Sequence, residues 1–246
     1  MKNKIIELGY PEREAIELIK VSKDISKDYN LLLKKYPIQY LIGYVNFYGY
    51  NINVNENVLI PRPETEFLVD KVIKYSKKIF NNKIDILDIG TGSGAIGIVL
   101  SKEIDSNVTC TDISKSALEV AKENARINKA NINLLESDIF GIIKGKFDII
   151  VSNPPYISED EEIEDSVRLY EPHKALYASE DGLYFYKRIL KDAKSYLKEK
   201  FIIAFEIGFN QGKKVEEIAK KYFSESNIII EKDLSGKDRY VFIINK

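Results

Sequence analysis

From residue 84 onward, short apolar runs alternate with longer segments whose apolar residues recur every three to four positions. "IDILDIG" (84–90), "NVTCTD" (107–112), "INLLES" (132–137) and "FDIIVS" (147–152) have the length and β-branched content of strands. "KFIIAFEIG" (200–208), "SNIIIEKD" (226–233) and "RYVFIIN" (239–245) read the same way. Between them, "GAIGIVLSKEI" (94–104), "SKSALEVAKENARINK" (114–129, with Ser114 as N-cap), "DGLYFYKRILKDAKSYLKE" (181–199) and "QGKKVEEIAKKYF" (211–223) carry helical periods. Such alternation predicts an α/β fold, a mostly parallel sheet wrapped by helices. Only "LSGKD" separates the last two strands, so they are expected to pair antiparallel at one edge. Ahead of this core, residues 1–37 read as short helices. "PEREAIELIKV" (11–21) places Ala15, Ile16 and Ile19 on one period, and "YNLLLKKY" (29–36) is a second helical piece. Residues 38–60 mix aromatic and β-branched residues with asparagines around Gly49, which predicts a β-hairpin linker. Pro61-Arg62-Pro63 then punctuates the chain before an amphipathic helix, "ETEFLVDKVIKYSKKIF" (64–80), so that 61–246 form the main domain.

Composition narrows the class. With 246 residues, 44% of them hydrophobic and 30% charged, the chain can build a sizeable core and is not disordered. A net charge of -1 excludes a strongly basic nucleic-acid binder in bulk, though not a local basic patch. Cys110 is the single cysteine, so no internal disulfide forms, and its strand-like setting makes it a buried, inert thiol. His173 is the single histidine and no Cys/His spacing suggests zinc, so no metal is expected. The first twenty residues lack a secretory apolar region, and no run approaches a membrane span. The expectation is a cytoplasmic monomer without a membrane or direct nucleic-acid partner.

"LDIGTGSGAIG" (87–97) ends a predicted strand and opens a helix. Gly90, Gly92 and Gly94 allow a sharp turn and a close ligand approach, and the following helix offers free N–H groups. Thr91 and Ser93 lie within the same turn. Residues 92–97 fit G-x-G-x-x-G, a weak signal alone. Asp112, at the end of the next strand, is placed to accept hydrogen bonds from ribose hydroxyls. Together these features indicate an adenosine-containing cofactor and leave nicotinamide and S-adenosyl-L-methionine both open. Asp138, just past the third strand, is placed to accept from an adenine amino group, with Ile139 against the ring. A turn Asp capping the next segment is an equal reading of the same pattern.

"FDIIVSNPPYIS" (147–158) carries the chemistry. Asn153 follows the fourth strand, and Pro154 and Pro155 stiffen the chain beyond it. The Asn153 side-chain carbonyl and the Pro154 main-chain carbonyl make two acceptors in a fixed direction, which suits an NH2 group. Tyr156 adds an aromatic face for a planar amide or a sulfonium cation. Methyl transfer to a planar nitrogen needs this arrangement, because accepting both N–H bonds stabilises charge developing on nitrogen. Orientation in such a site is worth up to ~7–11 kcal/mol. Read in isolation, "NPPY" is an ordinary turn. Opposite the glycine turn and Asp112, the chemical reading is the better one.

At these residues the sequence resembles the PrmC/HemK family. "PIQYLIG" (37–43), "NFYG" (46–49), "VLIPRPETEFLV" (58–69), "ILDIGTGSGAIGI" (86–98), "DISKSALEVAKENA" (112–125), "SDIF" (137–140), "DIIVSNPPYI" (148–157), "YEPHKAL" (170–176) and "DGLYFY" (181–186) match it in order. The resemblance implies a class I S-adenosylmethionine-dependent methyltransferase with a Rossmann-like, mostly parallel seven-stranded sheet. Its implied reaction is methylation of the side-chain amide of the glutamine in the Gly-Gly-Gln motif of peptide chain release factors. It implies cofactor contacts at Gly90, Thr91, Gly92, Ser93, Gly94, Asp112, Asp138, Ile139 and Asn153. It also implies that Asn153, Pro154, Pro155 and Tyr156 hold the substrate glutamine, with Asn153, Pro154 and Tyr156 catalytic. Residues 1–37 correspond to a shortened form of the family's helical docking domain. Arg62, Glu64 and the Tyr170–Leu176 segment receive no chemical role. An adenine-amino methyltransferase acting on DNA or RNA remains the alternative, since it shares "NPPY". A nicotinamide oxidoreductase leaves "NPPY" without a task, and a cofactor-binding module without turnover leaves its intact residues unexplained.

Overall fold

The computed structural model describes residues 1–246. Four helices begin the chain: α1 (Lys2–Glu7), α2 (Glu12–Val21), α3 (Ile25–Leu33) and α4 (Ile38–Ile42). They enclose a small core of Ile5, Ala15, Leu18, Leu32 and Ile38. The buried face of α2 is therefore Ala15 and Leu18, whereas Ile16 and Ile19 remain exposed, contrary to the sequence expectation. Residues 38–42 are helical rather than part of the hairpin. Ile38, Leu41 and Ile42 follow helical spacing onto that core, and Gly43 at φ 89° stops the helix. The hairpin itself is β1 (Tyr44–Phe47) and β2 (Tyr50–Asn53), joined through Tyr48 (φ 52°) and Gly49 (φ 86°). Two consecutive positive φ angles match the twist of a tight hairpin.

The main body follows α5 (Pro63–Ile79), where Pro63 sits in the first turn. Its strands are β3 (Ile84–Ile89), β4 (Ser106–Asp112), β5 (Ile132–Glu136), β6 (Phe147–Ser152), β7 (Leu197–Glu206), β8 (Asn227–Lys232) and β9 (Asp238–Asn245). Its helices are α6 (Ala95–Glu103), α7 (Lys115–Ile127), α8 (Asp165–Tyr170), α9 (His173–Leu176), α10 (Tyr184–Ala193) and α11 (Gly212–Tyr222). The seven-stranded sheet has the order β5-β4-β3-β6-β7-β9-β8. Pairings from β5 through β7 are parallel. β9 runs antiparallel between β7 and β8, which places β8 at the edge.

Central strands are buried on both faces, so their side chains alternate between two cores. Ile86, Ile149, Val151, Ile202 and Ala204 pack towards α5 and α6. Leu87, Ile150, Ile203, Phe205 and Val241 pack towards α10 and α11. The helix expected over 181–199 is shorter. Glu180, Asp181 and Gly182 have φ of 58°, 55° and 78°, which a helix excludes, and Leu197 onward joins β7. α8 and α9 fold in a stretch where the sequence showed no periodicity. No helix is long and apolar enough to cross a membrane.

The strand order reverses between β3 and β6. A crevice opens at their carboxyl ends, where open sheets of this kind receive ligands.

Candidate active site

The glycine turn leaves β3 and enters α6. Gly90 (φ 71°) and Gly92 (φ 54°) both line a cavity of about 330 Å³, and a Cβ at either position would project into open space. Asp112, at the end of β4, braces this turn. One carboxylate oxygen accepts from Gly92 N–H (2.9 Å) and the other from Ser114 N–H (2.9 Å). Each oxygen keeps a further lone pair for a ligand. Burial raises the Asp112 carboxyl, while the backbone donors of Ser114 and Gly92 pull it back.

The other turn residues face inward. Thr91 is buried, and its hydroxyl donates to Asp88 (2.6 Å). Ser93 is buried, and its carbonyl accepts from the Asn124 side chain (2.8 Å). Gly94 (φ 82°) packs against Ala121, where an added Cβ would lie 3.1 Å from the alanine methyl. These three residues shape the turn, and Gly90 and Gly92 supply the surface. Asn124 also exchanges hydrogen bonds with Asn53 N–H and C=O, tying the hairpin to the turn.

Asp138 and Ile139 border the same cavity. Both Asp138 oxygens already accept from Arg188 of α10, at 2.9 Å each. Ile139 is buried at φ 52°, an uncommon conformation for a β-branched side chain. Its carbonyl accepts from Ser137 Oγ (3.1 Å), which helps hold that backbone.

Asn153, Pro154 and Pro155 form the far wall. Asn153 and Pro154 also line a second cavity of about 390 Å³, together with Tyr156, Arg62 and Glu206. The two cavities thus meet at Asn153–Pro154. The Asn153 amide donates to Thr65 Oγ1 (3.2 Å), and Thr65 donates to Glu206 Oε2 (2.7 Å). Asn153 Oδ1 and the Pro154 carbonyl accept no hydrogen bond from the protein. Tyr156 is half-buried, and burial, then the Glu206 charge, pushes its phenol up to about 12. Its carbonyl is held by Gln211 Nε2 (2.9 Å), which also donates to the Asp181 carbonyl (3.2 Å). Gly182 lies directly beneath, where a Cβ would come within 2.0 Å of the Tyr156 oxygen.

Thr65, Glu206, Gln211 and the Arg62–Glu171 pair escaped sequence reasoning. Glu171 is buried and accepts from Arg62 (2.5 Å) and Ile60 N–H (3.1 Å). That bond joins "PRPETE" to "YEPHKAL" along the second cavity. Pocket walls there also include Val167 and Leu176 of α8 and α9. The available signal was an isolated carboxylate in an apolar strand, Glu206 in "FIIAFEIG". Cys110 is buried and burial raises its thiol, as an inert structural cysteine requires.

This sheet, glycine turn and acceptor loop define a class I methyltransferase. The family model for the methyltransferase small domain matches residues 64–171. A methyltransferase from Pyrococcus furiosus shares the fold at TM-score 0.60 and 20% identity, covering 80% of this chain and 89% of that one. The Thermus thermophilus 16S rRNA N2 G1207 methyltransferase, solved with its S-adenosylmethionine cofactor and guanosine, superposes at TM-score 0.60 and 15% identity. That match covers 82% of this chain and 50% of that one. The release factor glutamine methyltransferase of Streptococcus pneumoniae is 47% identical over 87% of this chain and 77% of its own length. That of Bacillus subtilis is 44% identical over 83% and 74%. The chain belongs to the release factor glutamine methyltransferase family, and its cofactor is S-adenosyl-L-methionine. The open surface at Gly90 and Gly92 and the Asp112 carboxylate fit that cofactor.

Proposed function

We infer that the chain transfers a methyl group from S-adenosyl-L-methionine to the side-chain amide nitrogen of the Gly-Gly-Gln glutamine of peptide chain release factors. One observation carries this reading: two unclaimed acceptors, Asn153 Oδ1 and the Pro154 carbonyl, stand where the two cavities meet. Gly90, Gly92, Asp112, Asp138 and Ile139 hold the cofactor in the first cavity. The glutamine enters through the second, past Tyr156.

The bound cofactor supplies an electrophilic methyl group on a sulfonium. An amide nitrogen is a weak nucleophile because its lone pair is delocalised into the carbonyl. Asn153 and Pro154 each accept one of its N–H bonds, fix its plane and stabilise the positive charge that grows as the N–C bond forms. The S–C bond breaks as N–C forms, and the surplus amide proton leaves to water. The step asks no covalent nucleophile of the protein. The N-terminal helices, residues 1–37 extended by the helix over 38–42, contribute to docking of the release factor, with 43–60 as linker and 61–246 as catalytic domain. In support, Tyr10 and Pro37 line a cleft together with Arg62, Glu164 and Glu171, beside the second cavity. As an enzyme of translation termination the chain works, on this reading, in the cytoplasm and as a monomer.

The test is transfer of labelled methyl from S-adenosylmethionine to a purified release factor. Label is expected on the factor and absent when its Gly-Gly-Gln glutamine is alanine. Asn153→Ala is expected to lower kcat by roughly 10²–10³-fold. Label on duplex DNA and none on the factor would replace this reading with adenine-amino methylation.

A further inference from the structure

We propose that Thr65 and Glu206 are positioning residues that fix the orientation of the Asn153 amide, turning its oxygen towards the substrate. The inference rests on the methyl-transfer reading and adds what makes the acceptor an acceptor. The two ends of an asparagine amide are nearly equal in size, so packing does not choose between them. Their chemistry is opposite, however. With the amide reversed, Asn153 would present N–H donors to the NH2 group of the substrate and repel it.

The chain of donors removes this ambiguity. Ionised Glu206 can only accept a hydrogen bond, so the single proton of the Thr65 hydroxyl goes to it, at 2.7 Å. Thr65 Oγ1 is then left with lone pairs only. The group facing it at 3.2 Å is obliged to be the Asn153 NH2, not the carbonyl. Oδ1 consequently points away, towards the cavities that Asn153 lines. Glu206 is 1% exposed and Thr65 5%, so water does not substitute for either partner. The three residues come from the end of β7, the first turn of α5 and the loop after β6. Their meeting explains why a threonine stands within "PRPETE" and a carboxylate ends an apolar strand.

The relay reverses when Glu206 is protonated. A carboxylic acid donates to Thr65, whose own proton is then free for Asn153 Oδ1. Burial pushes Glu206 up to about 7, opposed by the Thr65 hydrogen bond, the Arg239 charge from β9 and the Asn153 amide, and assisted by Glu64 of α5. Tyr156, Tyr186 of α10 and Tyr240 of β9 also surround it, and burial raises all three phenols. They stay neutral, and Arg239 stays charged, while Glu206 titrates.

The experiment measures kcat, KM for the release factor and cofactor affinity for the wild-type chain, Thr65→Val and Thr65→Ser, between about pH 6 and 8. Valine keeps the shape of threonine and removes the hydroxyl, whereas serine restores it. Thr65→Val is expected to lose roughly 10²-fold in kcat with unchanged cofactor affinity, and Thr65→Ser to recover most of it. Wild-type kcat is expected to rise with pH as Glu206 ionises, and this step is expected to vanish in Thr65→Val. The relay is overturned by wild-type kcat in Thr65→Val, by a persistent pH step there, by failure of serine to rescue, or by a parallel loss of cofactor affinity. Absence of transfer by the wild-type chain overturns the underlying reading, and the relay with it.

Discussion

Two carboxyls in the core set a pH dependence of stability that opposes the usual acid sensitivity of proteins. Asp88 is fully buried, and burial pushes it up to about 7 against the hydrogen bonds from Thr91 and Gly97. One of its oxygens, Oδ1, is buried without a partner. Glu206 is raised to about 7 by burial as well. Both groups hold a proton more tightly folded than unfolded. They therefore add stability at pH below their ordinary values of 3.8 and 4.5, and lose it as pH rises through about 7. Across that window each group removes up to about 1.4 kcal/mol per pH unit. Depressed carboxylates such as Asp85 and Glu231 act in the opposite sense only at lower pH, below their ordinary values. Chemical denaturation of the cofactor-free chain is expected to show greater stability near about pH 5.5 than near about pH 7.5. Asp88→Asn is expected to remove about half of the difference. Equal stability at both pH values would mean that the two carboxyls are already ionised in the folded state. At this scale Asn153 was legible as a candidate because the glycine turn and Asp112 lie opposite it; its two prolines alone read as an ordinary turn. Thr65 and Gln211 were not, because their roles are defined by partners 88 and 55 residues away.

Among the elements, the close approach of α6 to β4 carries the glycine turn. Gly97 lies on α6 directly over Cys110, where an added Cβ would come within 2.2 Å of Sγ and 3.3 Å of the Asp88 carboxylate. Alanine there pushes the helix off the sheet. Gly97→Ala is expected to destabilise the chain by about 1–3 kcal/mol, despite the better helix propensity of alanine. Cys110→Ala removes the obstructing sulfur, and the double variant is expected to be more stable than Gly97→Ala alone. Thermal denaturation of the three variants gives the coupling, and additive losses would show that Sγ is not the obstacle. The strands and this helix were visible in the sequence because burial on both faces enforces unbroken apolar runs. α4 was not, since five residues after a proline are too short to display a period. The end of α10 was obscured for a related reason: "KSYLKE" has polar residues that suit a helix, and only the pairing of Leu197 with Phe147 makes its second half a strand.

In the whole molecule, the cofactor cavity sits at the point where the strand order reverses, and it gathers residues from β3, β4, the segment after β5, the loop after β6 and α9. A ligand there links elements that are distant in sequence, and it binds the folded chain alone. Cofactor at a hundred times its Kd adds about 2.7 kcal/mol of stability. For a chain of this length that corresponds to a rise in Tm of roughly 5–11 °C. Asp112 braces Gly92 and Ser114, and on the proposed reading it decides whether the rise occurs by offering its remaining lone pairs to the ligand. Asp112→Asn replaces one acceptor oxygen by a donor that faces a backbone N–H, which loosens the turn and removes one ligand contact. Thermal denaturation with and without S-adenosylmethionine is expected to show the rise in the wild-type chain and little of it in Asp112→Asn. A full rise in Asp112→Asn would separate Asp112 from the cofactor and leave it as a brace of the glycine turn alone.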